Sequence, residues 1–119
     1  MVVVAIPSED DKCLVSKVAA HFRSSPYFTI VEIDEGRIQH CQAVKNSEMP
    51  SPPMLFRSMG VNVALVDRIG PGQLQLLKKI GVTVFGGASA DVEFTLTQFL
   101  GGKLKLVNKS PICSGHCAD

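Results

Sequence analysis

The sequence lacks an excess of charge of either sign, and it lacks a long apolar run. Its 12 Lys and Arg residues nearly balance 11 Asp and Glu residues, so the formal net charge of +1 does not indicate a nucleic-acid-binding protein. Its apolar stretches are broken by charges or glycines well short of the roughly 20 residues that a membrane helix needs. The first residues are Val-rich, with neither a basic segment nor a cleavage site. We therefore predict a soluble, cytoplasmic protein that binds neither nucleic acid nor membrane.

Familiar enzyme signatures are missing as well. The sequence contains no G-x-S-x-G elbow. The glycine turns at residues 70–72 and 86–87 complete neither a Walker motif nor a dinucleotide fingerprint. The acidic residues 9–11 are consecutive in a polar loop, and such neighbours rarely converge on one ion, so we interpret them as solvated. These absences favour a role without catalysis.

The chain has the size and apolar content of one α/β domain. With 119 residues and 45% hydrophobic residues it can bury a single core. The first half is predicted to contain a strand at 2–6, a polar loop at 8–16, a helical turn at 17–22 and a hairpin at 27–45. The second half is predicted to alternate helices at 53–59, 73–80 and 89–100 with strands at 61–66 and 82–85, and to end in an edge strand at 103–107. Ser89 is the predicted cap of the last helix. This order predicts a mixed sheet with flanking helices over residues 1–107, followed by a flexible tail at 108–119.

The two glycine turns follow predicted strands and precede predicted helices. Backbone N–H groups and helix N-termini at such turns attract anions, and glycine lets a phosphate or a cluster sulfide approach closely. Gly70, Gly72, Gly86 and Gly87 are therefore candidate cofactor contacts. The alternative is that these glycines only make tight turns between strand and helix.

The tail contains the densest group of soft ligands in the sequence. Cys113, His116 and Cys117 place two thiols and an imidazole within five residues that have little apolar company. Thiolates in a reducing compartment favour a metal or cluster site, which another residue such as His21 or Cys13 would complete. The alternatives are thiols that bind no metal in a disordered tail, and a disulfide formed by oxidation.

His21 and Arg23 form a second candidate group, just before the predicted hairpin. An imidazole is a good ligand for soft metals, and a guanidinium attracts anions. A single His is more often a solvated loop residue, so its role depends on what lies around it.

Several motifs in order resemble the dinitrogenase iron-molybdenum cofactor biosynthesis family, which includes NifX-like proteins and the C-terminal part of NifB-like proteins. They are Ala-Ile-Pro at residues 5–7, His-Phe-Arg-Ser-Ser-Pro-Tyr-Phe at 21–28, Gly-Pro at 70–71, Gly-Val-Thr-Val at 81–84 and the helix at 94–100. The family has Gly where this sequence has Arg23. The resemblance spans residues 1 to about 107.

The resemblance implies a ribonuclease H-like fold without nuclease activity. It also implies that the protein binds, stores or delivers an iron-molybdenum-type metal-sulfur cofactor or its precursor, with other cofactor-assembly proteins as partners. His21, Arg23 and the glycine turns then become expected cofactor contacts, while the tail lies outside the shared core. A protein-interaction or regulatory module, with a structural zinc in the tail or no metal at all, is the alternative.

Overall fold

Strand β1 (Val2–Ser8) lies inside a six-stranded sheet of order β3-β2-β1-β4-β5-β6. The computed structural model describes residues 1–46 and 51–107. Residues 4–8 of β1 are all buried, as expected for a continuous β-branched run that is covered on both faces. β1 is antiparallel to β2 and parallel to β4, so it joins a hairpin to a parallel unit.

The hairpin and the parallel unit follow the predicted order. β2 (Tyr27–Asp34) and β3 (Arg37–Lys45) are antiparallel, and both residues of the turn between them, Glu35 and Gly36, have positive φ, as hairpin turns require. The remaining elements are α1 (Pro52–Ser58), β4 (Val63–Val66), α2 (Pro71–Lys79), β5 (Thr83–Gly86), α3 (Val92–Leu100) and β6 (Lys105–Leu106). β4 and β5 are parallel, and β6 is antiparallel to β5. Within the described residues, no helix is both long and apolar enough to cross a membrane.

Each face of the sheet carries its own apolar cluster. One cluster contains residues of α1 and α2 and is centred on the rings of Phe22, Phe28 and Phe56, whose centroids are 5.0–5.6 Å apart. The other packs α3, through Val92 and Leu96, against β1, β2 and β4. The single α/β domain with a mixed sheet and helices is therefore confirmed.

Three local predictions differ from the structure. Pro7 does not end β1, because Ser8 continues it: the buried Ser8 hydroxyl lies 2.6 Å from the Thr29 hydroxyl and donates to the Ile6 carbonyl. The predicted loop at 8–16 contains a short 3-10 helix, Cys13–Val15. Asp91, rather than Ser89, caps α3, since its carboxylate accepts a hydrogen bond from the Phe94 N–H at 2.8 Å.

The predicted helical turn at 17–22 is extended instead. Its N–H groups donate to other segments: Val18 N–H to the Ala90 carbonyl and Ala19 N–H to the Pro7 carbonyl, both at 2.9 Å. Val18 also forms an isolated antiparallel bridge with Ser8. These bonds use the backbone groups that a helical turn would need.

We expect Phe56→Ala to lower the free energy of unfolding by about 3–5 kcal/mol, because it removes a fully buried ring from the aromatic trio. Urea denaturation measures the change. Phe94→Ala is the control, since this ring is 46% exposed and its loss should cost less than about 1 kcal/mol. Equal losses for the two variants would contradict the position of the core.

Gly87→Ala should lower the free energy of unfolding by about 2 kcal/mol. Gly87 has a φ of +101°, and a Cβ there would lie 3.2 Å from the Leu104 Cδ2 atom. Gly36→Ala is the matched control: its φ is +76°, but a Cβ would meet nothing within 4 Å, so about 1 kcal/mol is expected. A thermal unfolding series in which Gly36→Ala costs as much as Gly87→Ala would rule out a role for the Leu104 contact.

Candidate functional site

The carboxyl ends of β1, β4 and β5 meet at one edge of the sheet, because these three strands are parallel. We call this the carboxyl edge, and it is where open α/β sheets usually bind ligands. Residues 16–23, the crossing segment, lie across it. The segment is bonded to the end of β1 at Pro7 and to the residues before α3, where the Val92 N–H donates to the Ser16 carbonyl at 2.9 Å.

The crossing segment places His21 beside Arg68. The two residues form an isolated parallel bridge, in which the Phe22 N–H donates to the Arg68 carbonyl at 3.0 Å and the Arg68 N–H donates to the Ala20 carbonyl at 2.9 Å. The next residues, Phe22 and Ile69, are each 1% exposed and belong to the core. Since side chains alternate along extended backbone, His21 and Arg68 are both exposed. The edge thus carries an imidazole and a guanidinium on adjacent segments.

Arg68 is absent from the sequence predictions. A sequence signal for it exists, since it follows the buried strand β4 by two residues and precedes the Gly70 turn by two. The glycines were selected because turns between strand and helix attract anions, and a cationic side chain at the same place would do so too. The pairing of Arg68 with His21 could not be predicted from the sequence, because it depends on a backbone bridge between segments 47 residues apart.

Arg23 lies two residues beyond His21 and is exposed. Its carbonyl accepts a hydrogen bond from the Asn46 side-chain amide at 2.9 Å, and the same amide donates to the Ser25 carbonyl at 2.8 Å. Asn46 directly follows β3, so these bonds tie the end of the crossing segment to the hairpin. Arg23 therefore adds a second guanidinium at the hairpin side of the carboxyl edge.

Gly70 and Gly72 lie at the start of α2. Gly70 is the N-cap residue in an extended conformation and Pro71 is the first helical residue. Gly70 provides no side-chain cap, and the first turn of α2 contains no acidic residue. The Oε1 atom of Gln73 is buried there with no hydrogen-bond partner among the described residues.

Gly86 and Gly87 form the second glycine turn. Gly86 ends β5, where it pairs with Val66. Gly87 has positive φ, a conformation that glycine adopts without the steric cost of a side chain. The helix after this turn differs from α2, because the carboxylate of Asp91 already accepts a hydrogen bond from its N-terminus. The two turns therefore differ in that a carboxylate caps α3, whereas a glycine is the N-cap residue of α2.

Asp10, in the acidic loop after β1, is hydrogen-bonded to residues of the same loop. The Ser16 side chain donates a hydrogen bond that lowers the pKa of Asp10, aided by the Lys12 N–H at 3.3 Å. Asp10 stays ionised at neutral pH and is partly exposed. This agrees with a solvated acidic loop rather than a metal site.

The described residues contain no group of three or more His, Cys, Asp and Glu side chains that could hold a metal ion. The predicted ligands Cys113, His116 and Cys117 lie outside the described residues, and nothing within 1–46 and 51–107 supports the zinc alternative. An open groove of about 650 Å³ runs along α2 from Gly72 to Lys79.

Comparison with known proteins identifies relatives of similar length. The uncharacterized protein MJ0580 of Methanocaldococcus jannaschii is 27% identical over 109 residues, which covers 86% of this chain and 88% of that protein. The crystal structure of PH0822 is 29% identical, with a TM-score of 0.79 over 89% of this chain and 96% of that one. The apo form of the orange protein from Desulfovibrio gigas shares the fold, with a TM-score of 0.81 at 19% identity, covering 92% of this chain and 95% of that one.

The family itself follows from a match that spans most of the chain. The family model described as dinitrogenase iron-molybdenum cofactor matches residues 1–102, which include every strand and helix from β1 to α3 and the entire carboxyl edge. The resemblance of the sequence motifs to this family is thereby confirmed. The chain belongs to the dinitrogenase iron-molybdenum cofactor family.

Proposed function

We propose that this protein binds an anionic metal-sulfur cofactor of the iron-molybdenum type, or its precursor, at the carboxyl edge, and stores or delivers it without catalysis of its own. Membership of the family supports this class of ligand. The observation that carries the choice of site is the backbone bridge that places His21 beside Arg68.

The chemistry of this pair suits such a ligand. Metal-sulfur clusters carry negative charge at their sulfides, and the imidazole nitrogen of His21 is a soft metal ligand. The guanidinium of Arg68 presents five N–H donors and stays charged at any physiological pH. One residue would coordinate a metal and the other would neutralise charge, with Arg23 adding a second cation at the hairpin side.

The start of α2 supports the same site. Gly70 and Gly72 place no side chain of their own at the helix start, and a helix N-terminus carries partial positive charge. The buried Gln73 Oε1 atom has no partner among the described residues, and a 180° rotation of the amide would put its nitrogen there instead. Gly86 and Gly87 would form the opposite wall.

The wider proposal includes the fold and the tail. The antiparallel meander of β1 to β3, followed by the parallel strands β4 and β5, supports a ribonuclease H-like fold used for binding. Cys113, His116 and Cys117 remain predicted ligands, which would add thiolates to a cofactor held at the edge. Proteins that donate or receive the cofactor are the proposed partners.

The test uses tetrathiomolybdate, a simple metal-sulfur anion, together with anaerobic reconstitution from iron, sulfide and molybdate. We expect His21→Ala to weaken tetrathiomolybdate binding by more than about 10-fold, since it removes an imidazole that would donate a hydrogen bond to a sulfide, and Arg68→Ala by roughly 5-fold, since it removes an exposed charge. Absorbance titration measures the affinity, and metal analysis after gel filtration measures cofactor uptake.

The controls are His40→Ala and Arg37→Ala, which remove the same side chains from exposed positions on β3. Both should bind like the wild type. Cys113→Ser/Cys117→Ser separates the tail from the edge: a full loss of metal in this variant would move the site to the tail. Equal binding by all four alanine variants would disprove the edge site, and no uptake by the wild type would disprove the function.

A further inference from the structure

Asn46 directly follows β3 and makes three hydrogen bonds to the chain just before β2. Its backbone N–H donates to the Pro26 carbonyl at 2.9 Å, which extends the ladder between the two strands by one step beyond the pair of Tyr27 and Lys45. Pro26 has no N–H to donate in return, so the ladder ends there. Beyond this point the side chain of Asn46 connects the two segments.

The side-chain amide of Asn46 is used by two backbone carbonyls. Its Nδ2 atom donates to the Arg23 carbonyl at 2.9 Å and to the Ser25 carbonyl at 2.8 Å. An amide nitrogen carries two hydrogens and a carbonyl oxygen only accepts, so these two partners fix which way the amide points. Asn46→Ala would therefore remove both bonds and leave the backbone bond to Pro26 in place.

Arg23 lies in a short turn between two buried residues. Phe22 is 1% exposed and belongs to the aromatic trio, and Ser25 is 2% exposed. The Phe22 carbonyl accepts a hydrogen bond from the Ser25 hydroxyl at 3.0 Å, and the Phe22 N–H donates to the Arg68 carbonyl at 3.0 Å. Both ends of the turn are thus fixed, and the Asn46 amide holds the backbone of the exposed Arg23 between them.

The same bonds keep Arg23 near Arg68. The bridged segments of His21 and Arg68 are about 4.8 Å apart, as in any strand pair, and Arg23 is two residues beyond His21, at most about 7 Å. The Cα atoms of the two arginines are therefore within about 12 Å of each other. Two arginine side chains can span this distance and contact one ligand.

Two guanidinium groups around one ligand favour a ligand of higher charge. The Coulomb energy of an anion beside a cation is proportional to the charge of the anion, so each arginine stabilises a dianion twice as much as a monoanion in free energy. A fixed backbone preserves this difference, because ordering the turn on binding would cost conformational entropy.

We propose that Asn46 is the positioning residue that holds Arg23 at the carboxyl edge, and that Arg23 in this position makes the edge selective for ligands with two or more negative charges. This selectivity depends on the proposed function, since the edge must bind an anion for the charge of the anion to matter. Asn46 acts through Arg23 and does not itself touch the ligand.

The test compares two tetrahedral thioanions of the same shape: tetrathiomolybdate, with two negative charges, and tetrathioperrhenate, with one. In the full-length protein at low salt, Arg23→Ala should weaken tetrathiomolybdate binding about 5-fold, the upper end for an exposed charge pair. It should weaken tetrathioperrhenate binding only about 2-fold, because half the Coulomb energy is lost. Asn46→Ala should shift both affinities in the same direction, and in the Arg23→Ala background it should change neither any further.

Asn62→Ala is the matched control. The Asn62 Oδ1 atom accepts a hydrogen bond from the Val3 N–H at 2.8 Å, at the start of β1, so its loss should lower stability without changing the ratio of the two affinities. Backbone ¹⁵N relaxation of the ligand-free protein gives a second measurement. The order parameter of the Arg23 amide should be about 0.85 in the wild type and below about 0.6 in Asn46→Ala.

Three results would each overturn the proposal: equal weakening of both anions by Arg23→Ala, a further loss when Asn46→Ala is added to it, and an unchanged order parameter in Asn46→Ala. Failure of the proposed function looks different, because the wild type would then bind neither anion, and the selectivity would fall with it. Binding of both anions with a ratio that Arg23→Ala leaves unchanged would disprove the selectivity alone.

Discussion

The constraint on which the rest of the structure depends is that β1 has different neighbours on its two sides. On one side the antiparallel hairpin pairs with all seven residues from Val2 to Ser8. On the other side parallel β4 pairs only with Val4 and Ala5. The last residues of β1 therefore have backbone groups on that side which β4 does not reach, and a buried backbone group without a partner is costly. The crossing segment supplies those partners.

The position of the candidate site follows from this hydrogen-bond requirement. The crossing segment bonds to Pro7 near the end of β1, to Arg68 after β4 and to Ala90 in the turn between β5 and α3. Burial of Phe22 and Ile69 fixes its orientation, and alternation leaves His21 and Arg68 exposed. The backbone at both residues is thus held by hydrogen bonds and by core packing. The proposed site would therefore be in place before an anion binds.

Binding at the carboxyl edge should depend on salt, because the exposed guanidinium groups of Arg23 and Arg68 would attract an anion from solvent.

The sequence by itself determined the order of strands and helices, the hairpin and the family, because these follow from local periodicity, turn residues and short motifs. The Val-rich start, the Glu35-Gly36 turn and the Gly70 turn all lie where they were predicted. It also selected His21, Arg23 and the two glycine turns as candidates. The extended path of residues 17–22 and the pairing of His21 with Arg68 were decided only by the tertiary structure. Each depends on hydrogen bonds or packing between segments distant in sequence, and local propensity contains no information about such partners.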